Sequence, residues 1–270
     1  MNILSAKLGR WLARFLEKPS RKYEPFDVSK LVNLQRCLQP GDVLLVEGNQ
    51  RISSAIKYLT QSTWSHALLF VGDAVGTHDA AGGLDCLLEA DLTHGVVVVP
   101  LSRYASFNTR ICRPVNLCEA DRTKLIEYAV ARIGFSYDLK NIIDLARYLL
   151  PTPPVPVRWR RRLLALGSGH PTRAICSTLI AQAFESIKYP ILPIRAQVLM
   201  RQAESGTYIE QEIFHIRHHS LYTPRDFDVS PYFQIIKPTL ECGFDYREAL
   251  WQADNGDVCR GGFDAEPPKK

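Results

Sequence analysis

No run of about 18 apolar residues occurs in this 270-residue chain, so no segment reads as a membrane-spanning helix. The first residues lack the unbroken apolar stretch of a secretory signal, and a cytoplasmic protein is expected, peripheral at most to the inner face of a membrane. No two of the seven cysteines (Cys37, Cys86, Cys112, Cys118, Cys176, Cys242, Cys259) stand as C-x-x-C, and their number is odd. A disulfide framework or zinc ribbon is therefore not expected, and a reducing compartment fits. Neither charge sign dominates: 33 Lys and Arg against 28 Asp and Glu give +5. Without a helix-turn-helix, finger or aromatic-basic sheet signature, that excess does not point to nucleic acid. No G-x-S-x-G frames a serine, which disfavours a serine hydrolase. No internal repeat is visible. What remains is ordinary for a globular chain, 46% hydrophobic and 23% charged, and long enough to bury a substantial core.

Residues 3–18 place Leu4, Leu8, Trp11, Leu12 and Phe15 on one helical face, with Lys7, Arg10, Arg14 and Lys18 elsewhere. Such a basic amphipathic helix over 1–24 suits either a membrane interface or the protein's own domain. The main domain is expected over 25–250. Strands are expected at Val43–Val46, Trp64–Val71, Leu84–Ala90, Gly95–Pro100 and Thr109–Pro114, joined as an antiparallel meander covered on both faces. Helices are expected at Gln50–Gln61, Glu119–Ile133 and Leu139–Leu150. Residues 151–169, with four prolines and then Arg158-Trp159-Arg160-Arg161-Arg162, read as an exposed insertion. The stretch 158–164 is a second place where a membrane surface or acidic partner could dock, although a solvated charge run is the more general explanation of such a segment. Tyr208–Ile216 and Phe233–Ile236 read as later strands, Thr223–Asp228 as a loop, and 251–270 as a flexible tail.

The chemistry gathers around Cys176. Leu179, Ile180, Ala183, Phe184 and Ile187 follow it at helical spacing, and Thr172 after Pro171 is a fitting N-cap. A thiol in the first turn of a helix feels the positive end of the dipole, which favours the attacking thiolate. The alternative is an inert buried cysteine. Activation needs an imidazole and a group to orient it. His66, at the start of an apolar strand, needs a partner to justify its burial. Glu89 on the neighbouring strand offers one, with Asp85 and Asp91 at the same strand parity. His215, His218 and His219 form H-x-x-H-H, a weak metal pattern without a third ligand context. No metal or cofactor is expected. His78 and His94 read as exposed.

In their order, Trp64-Ser65-His66-Ala67, Leu88-Glu89-Ala90 with Gly95-Val96, Phe135-Ser136-Tyr137-Asp138 and Ile175-Cys176-Ser177 resemble the circularly permuted papain-like cysteine hydrolases of the NlpC type. The branch is the one with bacterial and poxvirus members, and lecithin retinol acyltransferase is a distant relative. Thr223-Pro224-Arg225-Asp226-Phe227 is similar to a C-terminal segment of that branch. The resemblance implies an α+β, permuted papain-like fold, with an antiparallel sheet of five or six strands against helices that include the nucleophile helix. It implies Cys176 as nucleophile, His66 as base, Glu89 as third member, and Tyr137, Trp64 and Ser65 near the substrate. The implied activity is hydrolysis or acyl transfer on an amide or ester through a Cys acyl-enzyme. Lipid-linked substrates, peptidoglycan or peptide amides, and a non-catalytic binding module on the same shell are the alternatives.

Overall fold

The computed structural model describes residues 25, 31–78, 83, 85–91, 94–135, 175–201, 208–215, 217–252 and 258–260. Its centre is a six-stranded antiparallel sheet in the order β4-β3-β2-β1-β5-β8. The strands are β1 (Val43–Val46), β2 (His66–Phe70), β3 (Asp85–Asp91), β4 (Gly95–Pro100), β5 (Thr109–Pro114) and β8 (Phe233–Ile236). The expected meander holds only from β1 to β4. After β4 the chain crosses back, and β5 pairs with β1 instead of β4. β1 therefore lies between β2 and β5, with all four of its residues buried. The outer edge of β4 is partly covered: Val96 donates to the Phe135 carbonyl at 2.9 Å and accepts from Gly134 at 2.8 Å.

Period-two alternation sorts the strands into two cores. Val43, Leu45, Ala67, Leu69, Leu88 and Cys112 face one way; Leu44, Val46, Leu68, Leu87 and Ile111 face the other. Cys86 and Leu87 share a side because the register shifts between Asp85 and Leu87, a bulge. The first face is covered by α3 (Glu119–Val130) and α4 (Ile175–Ser186), through Leu125, Ala129, Leu179, Ile180, Ala183 and Phe184. Phe184 anchors an aromatic cluster, 5.2 Å from the Phe233 ring, 5.4 Å from Tyr189 and 6.4 Å from Phe227. Truncating such a fully buried ring costs about 3–5 kcal/mol. The second face is covered by α1 (Leu31–Cys37), through Leu34, Cys37 and Leu38, and by a short 3-10 helix, Leu101–Tyr104.

The helix α2 (Arg51–Thr60) stands where its apolar spacing places it, whereas α1 is unanticipated in the sequence. Thr223–Asp228, read above as a loop, is instead the short helix α5 (Pro224–Asp228). Pro224 occupies its first turn, and Thr223 and Asp226 form a reciprocal capping box. A second hairpin pairs β6 (Ile194–Arg201) with β7 (Tyr208–His215), and only its second strand was expected. After α6 (Pro238–Glu241), the stretch read as a tail includes a small hairpin of β9 (Leu250–Gln252) and β10 (Val258–Arg260). The amphipathic segment 1–24, the helix expected at 139–150 and the insertion 151–169 lie outside the described residues.

Candidate active site

The first turn of α4 meets the sheet where β2 and β3 separate. These strands pair at Leu69↔Leu88 and Phe70↔Leu87, with the Val71 N–H donating to the Cys86 carbonyl at 2.8 Å beyond them, and no pairing continues toward Ala67 and His66. Continuing that register would set Asp91 opposite His66, with Glu89 one step diagonal to it on the same face. The diagonal partner is the one used: His66 Nε2 lies 3.0 Å from Glu89 Oε2. Asp91 turns to its own loop, where it accepts the His94 backbone N–H at 2.8 Å and lies 3.0 Å from His94 Nδ1. Asp85 pairs with Pro100 at the far end of β3.

Cys176 lies in the first turn of α4, within hydrogen-bond reach of the His66 ring and of the Ala67 backbone N–H. With Nε2 on Glu89, Nδ1 is the ring nitrogen left for the sulfur. Ser177 Oγ is 4.0 Å from the sulfur. Cys176 is only 5% exposed while the His66 side chain is 23% exposed, so solvent reaches the pair from the imidazole side.

The electrostatics favour an ion pair. Burial pushes the Cys176 thiol up, but the positive His66 ring, its hydrogen bond and the Ala67 N–H outweigh it and hold the thiol below its ordinary value. Burial would lower His66; the Cys176 sulfur and then Glu89 override it and push the imidazole up to about 10. Both directions favour thiolate and imidazolium at neutral pH. Glu89 is 3% exposed, and burial alone would raise it, but His66, Tyr104 and Arg103 together hold it low. Cys112 shows what burial does without such a partner: its thiol is pushed far up.

Two residues of this cluster carry no signal in the sequence. Tyr104 donates its phenol to Glu89 Oε2, and Arg103 Nη1 lies 3.2 Å from Oε1, an ion pair without hydrogen-bond alignment. Both sit on the 3-10 helix that follows β4, so only the folded sheet edge brings them to Glu89.

The remaining expectations separate. Trp64 is buried, its Nε1 donating to Asp228 Oδ2 at 3.1 Å, and the Arg110 guanidinium lies 4.9 Å from its ring centroid. Ser65 is buried as well and accepts the Gly48 N–H at 2.9 Å. A side chain at Gly48 would meet Ser53 Oγ at 2.3 Å and Ser65 Oγ at 2.9 Å, so any larger residue here forces those serines to move. The polar atoms of Trp64 and Ser65 are thus committed inside the protein and not presented to a cleft. Tyr137 lies outside the described residues. The Thr223–Phe227 segment is likewise structural: Asp226 caps its helix, Arg225 donates to the Thr60 carbonyl at 3.0 Å, and Phe227 is fully buried. His78 and His94 are exposed; His219 pairs with Glu185 at 3.3 Å and stacks on His218 at 4.1 Å. No group of three His, Cys, Asp or Glu suited to a metal occurs among the described residues.

In this chain the histidine strand precedes the cysteine helix. Residues 37–148 match the model of a family described as permuted papain-like amidase enzymes, the YaeF/YiiX C92 family. The fold is permuted papain-like. The matched stretch carries His66, Glu89 and Tyr104 and ends before Cys176. A solved structure titled crystal structure of metalloprotein yiiX from Escherichia coli O157:H7 is 14% identical, with a TM-score of 0.41 over 74% of this chain and 96% of that one. No curated protein matches the sequence.

Proposed function

We propose that this protein is a cysteine amidase that cleaves its substrate through an acyl-enzyme on Cys176. The observation that carries the reading is the chain Glu89–His66–Cys176, with the thiol lowered and the imidazole raised. The family model supports an amide as the bond cleaved. The Cys176 thiolate attacks the carbonyl carbon, and the tetrahedral oxyanion forms against the backbone N–H of Cys176, an unpaired donor in the first turn of α4. Collapse expels the amine, which takes the proton from His66. Water, deprotonated by the now neutral His66, then attacks the thioester and regenerates the thiolate. Glu89 holds the ring in one orientation and stabilises its positive charge throughout. Lipid-linked amides are favoured by the basic amphipathic pattern of residues 3–18 and 158–164.

The test is a rate comparison followed by a trap. With iodoacetamide at neutral pH, Cys176 is expected to alkylate faster than the exposed Cys118 and Cys242 despite its burial, and His66→Ala to erase the advantage. Equal rates would end the enzyme reading. A panel of peptide amides, peptidoglycan fragments and N-acylated lipids, read by intact mass, is expected to give an acyl adduct on Cys176 with at least one class. Strongest adduct formation with the lipid amides supports the lipid preference, and formation with peptides alone removes it.

A further inference from the structure

Two cysteines far apart in sequence meet on the side of the sheet that Cys176 does not occupy. Cys37 ends α1 within the second core, and Cys242, exposed, follows α6. Both are free thiols, and their sulfurs stand 4.0 Å apart across a sequence separation of 205 residues. A disulfide is about 2.05 Å long, so closure requires an approach of about 2 Å, within reach of a side-chain rotation at the exposed partner. The backbones on both sides are anchored. α1 packs directly against α6, and Ile236, just before α6, shares the second core with Leu34 and Leu38. Arg113 donates to the Cys37 carbonyl and to Asp42 Oδ2, fixing the end of α1 to the sheet.

We propose that Cys37 and Cys242 form a reversible thiol–disulfide site, oxidised by exchange with a small disulfide of the glutathione class. Cys242, the exposed partner, reacts first. Its thiolate attacks one sulfur of the glutathione disulfide, forming a mixed disulfide and releasing one glutathione thiolate. The Cys37 thiolate then attacks the Cys242 sulfur; the protein S–S bond forms and the second glutathione thiolate leaves. Two electrons pass from the cysteine pair to the glutathione disulfide, and the two cysteine protons end on the two glutathiones. Burial, reinforced by neighbouring Cys242, pushes the Cys37 thiol up, which makes it the resolving and not the attacking partner. The resulting bond ties α1 to α6 and closes a covalent loop around the sheet. It is independent of the amidase reading.

The experiment uses the full chain, reduced and then incubated with oxidised glutathione, with remaining thiols alkylated in acid and the digest mapped by mass spectrometry. The expected result is a Cys37–Cys242 cross-linked peptide, and a melting temperature raised by about 5–10 °C that dithiothreitol reverses. Cys242→Ser is expected to abolish both the cross-link and the shift, and Cys37→Ser to leave a stable glutathione adduct on Cys242. A stable adduct on Cys242 in the unaltered chain with Cys37 still open to alkylation, or Cys242 joined to any other cysteine, overturns the proposal.

Discussion

Asp42 and Glu89 are both sealed from water, 1% and 3% exposed, at opposite ends of the central strands, and each faces a cation. Asp42 precedes β1 and accepts the Arg113 Nε–H at 3.0 Å, the Arg113 Nη2–H at 2.8 Å and the Gln39 N–H at 2.9 Å. Burial still wins there, and the carboxyl is held above its ordinary range. At Glu89 burial pushes the same way, but the hydrogen bond and charge of His66, with Tyr104 and Arg103 behind them, bring the carboxyl below that range. A guanidinium never gives up its proton, so the Asp42 end is a fixed clamp. An imidazole can, and Glu89 faces one that itself touches a thiol. Two similar constellations thus differ in whether the cation can exchange a proton.

The comparison breaks most completely at the sulfur. Cys176→Ala is expected to remove turnover by about 10⁴-fold or more while leaving circular dichroism and melting unchanged. Glu89→Gln comes next, lowering kcat/KM by about 10²–10³-fold. The same variant moves the alkaline limb of the pH profile. In the unaltered protein that limb is expected near 10, where His66 loses the proton it must donate, and the acid limb below the ordinary thiol range, where the thiolate is lost. Without Glu89 the imidazole loses one of its raising influences, and the alkaline limb shifts down.

At the clamp, Asp42→Ala is expected to cost about 2–4 kcal/mol in urea unfolding, because Arg113 is left half-buried without its partner. Activity per folded molecule should not change. The two carboxylates also respond to pH with opposite sign. Glu89 is lowered in the folded state, so its contribution is present above the unfolded carboxylate value and fades as pH falls through the folded one. Asp42 is raised, so its contribution is greatest below the unfolded value and declines as pH rises through the folded one. Unfolding across the acid range should therefore show the cost of Glu89→Gln growing with pH and that of Asp42→Asn shrinking. Parallel curves would remove the distinction. The smallest effect is expected of Tyr104→Phe, about 1 kcal/mol of stability and a few-fold loss of kcat, read together with an upward drift of the Glu89 titration.

The strands β1 to β5 and the buried side of the cysteine helix were legible because they rest on local pattern, whereas the meeting of Cys176 with His66, 110 residues away, was legible only in the order of the motifs. Val43–Val46 and Gly95–Pro100 are apolar runs, and Leu179, Ile180 and Ala183 mark the buried side of α4. Glu89 was legible as a candidate only, since strand parity admits Asp85 and Asp91 equally and the choice depends on where β2 and β3 part. Tyr104 and Arg103 were not legible, because nothing nearby in sequence announces that a 3-10 turn after β4 will fold back onto β3. The crossover that sets β5 beside β1 was hidden for the same reason: short turns favour neighbours, and the preference for burying β1 on both sides overrode them. Trp64 and Ser65 immediately precede His66 in sequence, but their polar atoms serve Asp228 and Gly48.

Within the strands β2 and β3 pair at two positions, with the Val71–Cys86 backbone bond beyond them, whereas β1 and β2 pair at four. The imidazole therefore rides on the firmly stitched strand β2, while the carboxylate that aims it rides on an outer flap, β3–β4, attached to β2 along a shorter hem. A disturbance to that flap, even one that never reaches the sulfur, would swing the ring and detune the reaction, so the outer edge is where natural variation could adjust rate without rebuilding the interior.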